Sequence, residues 1–317
     1  MNKNSSKKLI EIQIAKLYFL EKLSQEEISA KVHMSRSNVS RIISKCINSG
    51  LVRIEIRDPT TLYPEVALRL QSKFNLDNVI IGRSVSGIDF FNIPDTIPYL
   101  TTAFLNQILK PNTLVGVTPG KNISDIVTCF TNTANVKADV IQMTGFTSCT
   151  CDIYSVAYIV TTLASKLNGE AFLLPAPLMV SDARTKAVLM SNVAIAPVMQ
   201  QYNNIQVSLM EISDLRVHIS PTFKNPWLSK SDALQLKDLQ AISQVCGHYF
   251  DQEGSSCDAG IINKMLGIDT CTLKKIPISI GIASGEQMCL STLSAIRAGI
   301  VHNLIIDATL AYRLDNL

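Results

Sequence analysis

From residue 61 onward the chain repeats one alternation: a short apolar run, an amphipathic stretch of helical period, then another apolar run. "TLYPEVALRLQSKFNLDNVIIG" reads as a helix over 64–74 leading into a strand at Asn78–Ile81. "TLVGVT" (113–118) precedes a helix in "NISDIVTCF" (122–130), and "ADVIQMTG" (138–145) precedes one in "YSVAYIVTTLASKLNG" (154–169), with "AFLLPAP" (171–177) following. "IPISIGIASG" (276–285), "QMCLSTLSAIRAG" (287–299) and "NLIIDA" (303–308) repeat the order before a closing helix. Such alternation predicts an α/β domain with a largely parallel sheet. Sheets of this kind bind ligands at the carboxyl ends of their strands.

The best-placed ligand loop by that rule is "GVTPGKNIS" (116–124). A strand ends at Val117, two glycines flank Thr118-Pro119, and a helix begins near Asn122. Backbone N–H groups at a helix start face an anion well, and Thr118, Lys121 and Asn122 add side-chain donors around Pro119 and Gly120. The loop is not a Walker A loop, because its spacing is one residue short and Asn122 stands where a magnesium-binding hydroxyl would be. "GIASG" (281–285) is not a hydrolase elbow, since Ser284 comes one place late. No H-E-x-x-H motif occurs, and His33, His218, His248 and His302 are scattered, as ordinary surface or core histidines are.

The first sixty residues follow a different pattern. "KLIEIQIAKLYFL" (8–20) puts Leu9, Ile12, Ala15 or Lys16, and Phe19 on one helical face. Ser24 with Glu27 is a capping-box pattern, so a second helix starts at Gln25 and presents Ile28 and Val32. "HMS" (33–35) breaks the period. Ser35 then caps a third helix that buries Val39, Ile42, Ile43 and Cys46. Gln25 begins the second helix, and the outward face of the third offers Arg36, Ser37, Asn38, Ser40, Arg41, Ser44 and Lys45. Those side chains, with Ser35, suit base edges and phosphate oxygens of a major groove. The turn of a helix-turn-helix usually carries glycine; His33 stands there and must adopt positive φ. "GLVRIEIRD" (50–58) predicts a short strand, the wing of a winged helix.

Charge separates the two parts. Residues 1–60 hold eleven Lys/Arg against six Asp/Glu, whereas the rest holds eighteen against twenty. A basic module on a near-neutral body is the footprint of nucleic-acid binding. Hydrophobic residues make up 47% of the chain and charged ones 17%, which fits packed cores rather than disorder. The longest apolar runs, such as "AFLLPAPLMV" (171–180), are too short to span a bilayer, and Glu11, Gln13 and Lys16 interrupt the N-terminal stretch. The expected location is cytoplasmic. The eight cysteines include no C-x-x-C; Cys149 and Cys151 form the one close pair, read as packing, so neither a metal nor a cofactor is expected.

Several segments together resemble the SorC family of sugar-responsive bacterial transcriptional regulators. They are "LSQEEISAKVHMSRSNVSRIISK" (23–45), "SKFNLDNVII" (72–81), "LVGVTPGKNI" (114–123), "AFLLPAPLMV" (171–180), "VCGHYFDQEG" (245–254) and "IPISIGIASGEQMCLSTLSAIRAGIVHNLIIDATLA" (276–311). The resemblance implies an α/β protein with an N-terminal (winged) helix-turn-helix domain over 1–58. It implies a larger Rossmann-like effector-binding and oligomerisation domain over 61–317, related in fold to sugar-phosphate isomerases. The implied partners are a double-stranded DNA operator and a sugar or sugar-phosphate effector, in a homotetramer. The implied effector wall is Thr118, Pro119, Gly120, Lys121 and Asn122 with Gln244, Met288 and Asp307. This chain departs from the family pattern at Phe146, Ser284 and Ile306. It also has Gln244 and Met288 where the family has an acidic residue and a lysine; Asp307 is kept. A non-enzymatic regulator is the reading that follows. An isomerase-like enzyme with a DNA-binding extension, or a regulator that has lost sensing, are the alternatives.

Overall fold

The computed structural model describes residues 3–52, 63–83, 96–147, 153–218, 228–257 and 260–317. The chain divides into two compact units, Met1–Arg57 and Asp58–Leu317.

Among its described residues the first unit has three α-helices: α1 (Lys3–Ala15), α2 (Gln25–Val32) and α3 (Arg36–Asn48). After α1 the chain continues as one wider turn, Lys16–Leu20, closed by Glu21 N–H donating to the Lys16 carbonyl at 3.1 Å. Ile14 and Leu17 pack with Ile28, Val39 and Ile43 to make the core. That corrects part of the face expected for the first helix: Leu9 is 58% exposed and Ile14 and Leu17 are buried, with Ile10 partly so, whereas Ala15 is buried and Phe19 packs against this core as expected. The segment is apolar on nearly every side, so its period alone does not select a face, and the partners on α2 and α3 do.

The caps follow the sequence closely. Ser24 and Glu27 form the full capping box, His33 ends α2 at φ 52°, and Ser35 accepts from the Asn38 N–H at 3.3 Å. Val39, Ile43 and Cys46 are buried, and Ile42 is half-buried. Most of the strand expected over 50–58 lies outside the described residues, and so does the Cys149–Cys151 pair.

The second unit runs α4 (Pro64–Phe74), β1 (Asn78–Gly82), α5 (Ile97–Ile108), β2 (Leu114–Val117), α6 (Lys121–Cys129), β3 (Asp139–Gln142), α7 (Val156–Lys166) and β4 (Ala171–Phe172). Next come α8 (Ala183–Met190), α9 (Ala196–Gln200), β5 (Val207–Glu211), β6 (Ser213–Asp214), α10 (Leu215–His218), α11 (Lys230–Asp238), β7 (Ser243–Val245) and β8 (His248–Phe250). It closes with α12 (Thr270–Leu273), β9 (Ile278–Ala283), α13 (Cys289–Arg297), β10 (Asn303–Asp307) and α14 (Ala308–Asp315).

Seven of the strands form one parallel sheet in the order β1-β10-β9-β5-β2-β3-β4. Successive residues of a strand face opposite sides. Leu304 and Ile306 therefore join the core under α4, α13 and α14, while Ile305 joins the one under α5, α6 and α7. From β2 the chain steps outward to β3 and β4, then returns to β5 on the other side of β2 and continues to β9 and β10. The β2–β5 seam is thus the topological switch point, where α/β sheets open a crevice at their carboxyl edge. A second, antiparallel sheet, β6-β7-β8, follows directly from β5 and stands at that edge.

Candidate functional site

A cavity of about 270 Å³ lies at the carboxyl end of the β2–β5 seam. One wall is the loop after β2. Thr118 N–H donates to the Leu209 carbonyl at 3.1 Å, and its hydroxyl accepts from the Glu211 N–H at 3.0 Å, so the loop is stitched across the seam. The opposite wall is the small sheet, whose register pairs Ser213 with Gln244 and Gln244 with Tyr249. All three residues line the cavity. The β7–β8 hairpin closes with Cys246 and Gly247, both at positive φ (53° and 83°), the geometry of a type I′ turn. A side chain on Gly247 would meet the Met265 sulfur at 2.6 Å. Thr144 and Thr147 after β3, with Tyr154, Leu178 and Leu215, add to the lining.

Glu211, the last residue of β5, is the charged group of this lining among the described residues. Its carboxylate accepts from the Asn122 side-chain amide at 2.7 Å and from the Ile123 N–H, in the first turn of α6, at 3.3 Å. Burial pushes its pKa up to about 7, against the lowering pull of those donors; the nearby Asp125 carboxylate raises it further. Thr144 is 3% exposed, and its hydroxyl, inside this lining, has no hydrogen-bond partner among the described residues.

Of the residues expected at the effector wall, Thr118, Pro119, Gly120 and Gln244 line the cavity. Lys121, Asn122, Met288 and Asp307 do not. The Lys121 side chain is 74% exposed and lies 3.5 Å from Asp125, one helical turn along α6. Asn122 is engaged by Glu211. Met288 packs against the core beneath α13. Asp307, 1% exposed, caps α14 by accepting from Leu310 N–H at 2.9 Å and also accepts from Thr309 and Gly285. Sequence reasoning missed Glu211, Thr144, Thr147, Ser213, Tyr154 and Tyr249. A carboxylate directly after the apolar run "VSLM" was the available signal, because strand ends are where such sheets bind ligands.

The candidate nucleic-acid face belongs to the first unit. Arg36, Ser37, Arg41 and Lys45 are exposed on α3, with Asn38 and Ser40 half-buried beside them. Ser35 is exposed at the N-cap, and Gln25 is half-buried at the start of α2. Arg41 donates to the Asn38 side-chain oxygen at 2.9 Å, and Arg36 pairs with Glu26 at 3.2 Å. Exposed pairs of that kind are worth little and give way readily to a phosphate or base. Lys45 is held more firmly, 2.5 Å from the largely buried Glu11. Among the described residues no group of His, Cys, Asp and Glu could hold a metal, and no helix is long and apolar enough to cross a membrane.

Known proteins share this layout. The family model described as "Putative sugar-binding domain" matches residues 59–314, and that described as "Sigma-70, region 4" matches residues 11–49. The chain is 28% identical over 295 residues to the "Uncharacterized transcriptional regulator YjhU" of Escherichia coli K12, across 92% of this chain and 89% of the relative. It is 24% identical over 316 residues to the deoxyribonucleoside regulator of Bacillus subtilis, across 98% of each. The full-length sorbitol operon regulator SorC from Klebsiella pneumoniae has the same fold, with a TM-score of 0.76 at 19% identity, covering 97% of this chain and 98% of that one. With the family model spanning most of its length, the chain belongs to the sugar-binding domain family, that of the SorC-type regulators.

Proposed function

We propose that this protein is a DNA-binding transcriptional regulator of a carbohydrate-related operon, controlled by an effector bound at the β2–β5 seam. The observation that carries the reading is the pairing, in one chain, of a capped helix-turn-helix with a cavity at the switch point of a sugar-binding domain fold. In this reading Arg36, Ser37, Asn38 and Arg41 meet base edges, while Lys45 meets phosphate. Thr118, Gly120 and Gln244 face the effector, and the working assembly is a homotetramer on its operator. The relatives described above are named as regulators, which supports a role without catalysis. The test is selection of genomic fragments by the full chain, followed by release of the bound fragment on adding sugars and sugar phosphates. Recovery of no preferred fragment would sink the reading.

A further inference from the structure

We propose that the Glu211 side chain fills the anion-binding end of the cavity, so that the ligand taken there is an uncharged polyhydroxylated molecule, a free sugar or sugar alcohol, and not a phosphorylated one. The proposal rests on reading this unit as a carbohydrate-binding effector domain and names the chemical class of its ligand.

Three independent observations lead to it. The first is occupancy. The donors that a ligand's phosphate would use at the start of α6, Asn122 Nδ2 and Ile123 N–H, are spent on Glu211 at 2.7 and 3.3 Å. The carboxylate is also seated on Gly120, where an added Cβ would lie 2.6 Å from Glu211 Oε2. The chain thus supplies its own anion at the position a helix start prepares for one.

The second is charge. Among the described residues no Lys, Arg or His lines the cavity, and Lys121 points away to Asp125. A phosphate dianion entering here would meet a carboxylate without a compensating cation, and like charges brought together out of water repel strongly. The groups around Glu211 are the neutral Thr118 on the β2 loop, Asn122 and the Lys121–Asp125 pair on α6, and Ser284 after β9 behind Asn122.

The third is an unmet hydrogen bond. Thr144 is buried, and among the described residues its hydroxyl has no partner inside this lining. Buried polar groups are seldom left so, and a ligand group is one way of satisfying them. Thr118 accepts from the Glu211 N–H and keeps its own hydrogen to donate. A carboxylate has about four acceptor sites, so Glu211 retains acceptor capacity beyond the donors of Asn122 and Ile123. Hydroxyl groups that both donate and accept fit between such a carboxylate and such threonines; phosphate oxygens, which only accept, do not.

The test uses the full chain and calorimetry at pH 8. The probes are inorganic phosphate and paired sets of pentoses, hexoses and hexitols with their terminal phosphate esters. The wild type should ignore inorganic phosphate and prefer an uncharged member over its ester by about 100-fold or more. Glu211→Gly, which empties the cradle, should gain inorganic phosphate binding by at least about tenfold. Glu211→Gln, which keeps the cradle filled without charge, should not. Two results overturn the proposal: an ester bound by the wild type as tightly as its free sugar, or a Glu211→Gly chain that folds by circular dichroism yet gains no phosphate. Release from DNA is read separately. If no sugar releases the operator, the regulator reading fails, while a phosphate gain in Glu211→Gly still upholds the cradle.

Discussion

Asn122 bridges two strand ends with one side chain: its amide nitrogen donates to Glu211 at the end of β5 at 2.7 Å, and its oxygen lies 3.4 Å from the Ser284 hydroxyl just past β9. The start of α6 is thereby fixed over the carboxyl edge of the sheet. Asn122→Ala removes the shortest of the bonds that hold the Glu211 carboxylate. The expected cost is about 1–3 kcal/mol in denaturant unfolding at pH 8, where the carboxylate is charged, and less at pH 5.

The Glu211 pKa of about 7 makes stability depend on pH. The folded chain keeps this proton up to about pH 7, whereas the unfolded chain releases it near the ordinary value of 4.5. Between those values the native state binds more protons, so this group's contribution to stability falls as pH rises through the window. The full span is worth about 3 kcal/mol at most. Glu211→Gln should flatten that part of the profile, measured as the difference between wild-type and variant unfolding free energies from pH 4.5 to 8.

His33 holds φ at 52° to end α2. A side chain in that region costs energy that glycine avoids. His33→Gly should therefore raise the stability of the first unit, by up to about 1 kcal/mol, as read by thermal unfolding. A fall in stability would mean that the His33 side chain contributes contacts outweighing the backbone strain.

Asp307 is expected to act on folding more than on ligand. Asp307→Ala leaves the Leu310 N–H without its cap and the Gly285 N–H without its acceptor. The two losses together predict about 2–4 kcal/mol of destabilisation. Calorimetry below the melting range should find sugar affinity nearly unchanged in the protein that remains folded.

On α3, Arg36 and Lys45 should separate cleanly in DNA binding. Arg36→Ala is expected to cost about 1–3 kcal/mol on the preferred fragment and far less on random DNA. Lys45→Ala should weaken both alike and flatten the salt dependence by about one ion. Equal losses on both DNAs for Arg36→Ala would place that residue on phosphate instead of a base.

What the sequence revealed was whatever is decided locally. The Ser24–Glu27 box, the positive φ of His33 and the Ser35 cap are each settled within a few residues, and each stands as expected. The long apolar runs that became β9 and β10 were equally plain. The central strand β5 went unread, because five residues with a buried Ser208 among them give little periodic signal. The three-stranded sheet went unread for the same reason, its strands being two or three residues long. Those omissions hid the site. Glu211 meets Asn122 across 89 residues, and only the fold brings them together. The start of α6 was legible, but not that Lys121 would turn outward to Asp125.

The seating of Glu211 on Gly120 also has a meaning for descent. Glutamate and glycine codons differ at a single base, so the side chain that blocks the helix start can be removed by one transition in the gene. The surrounding donors, Asn122 and the Ile123 N–H, would remain in place without further change. A lineage carrying this scaffold therefore stands one nucleotide from a chain with an open helix start.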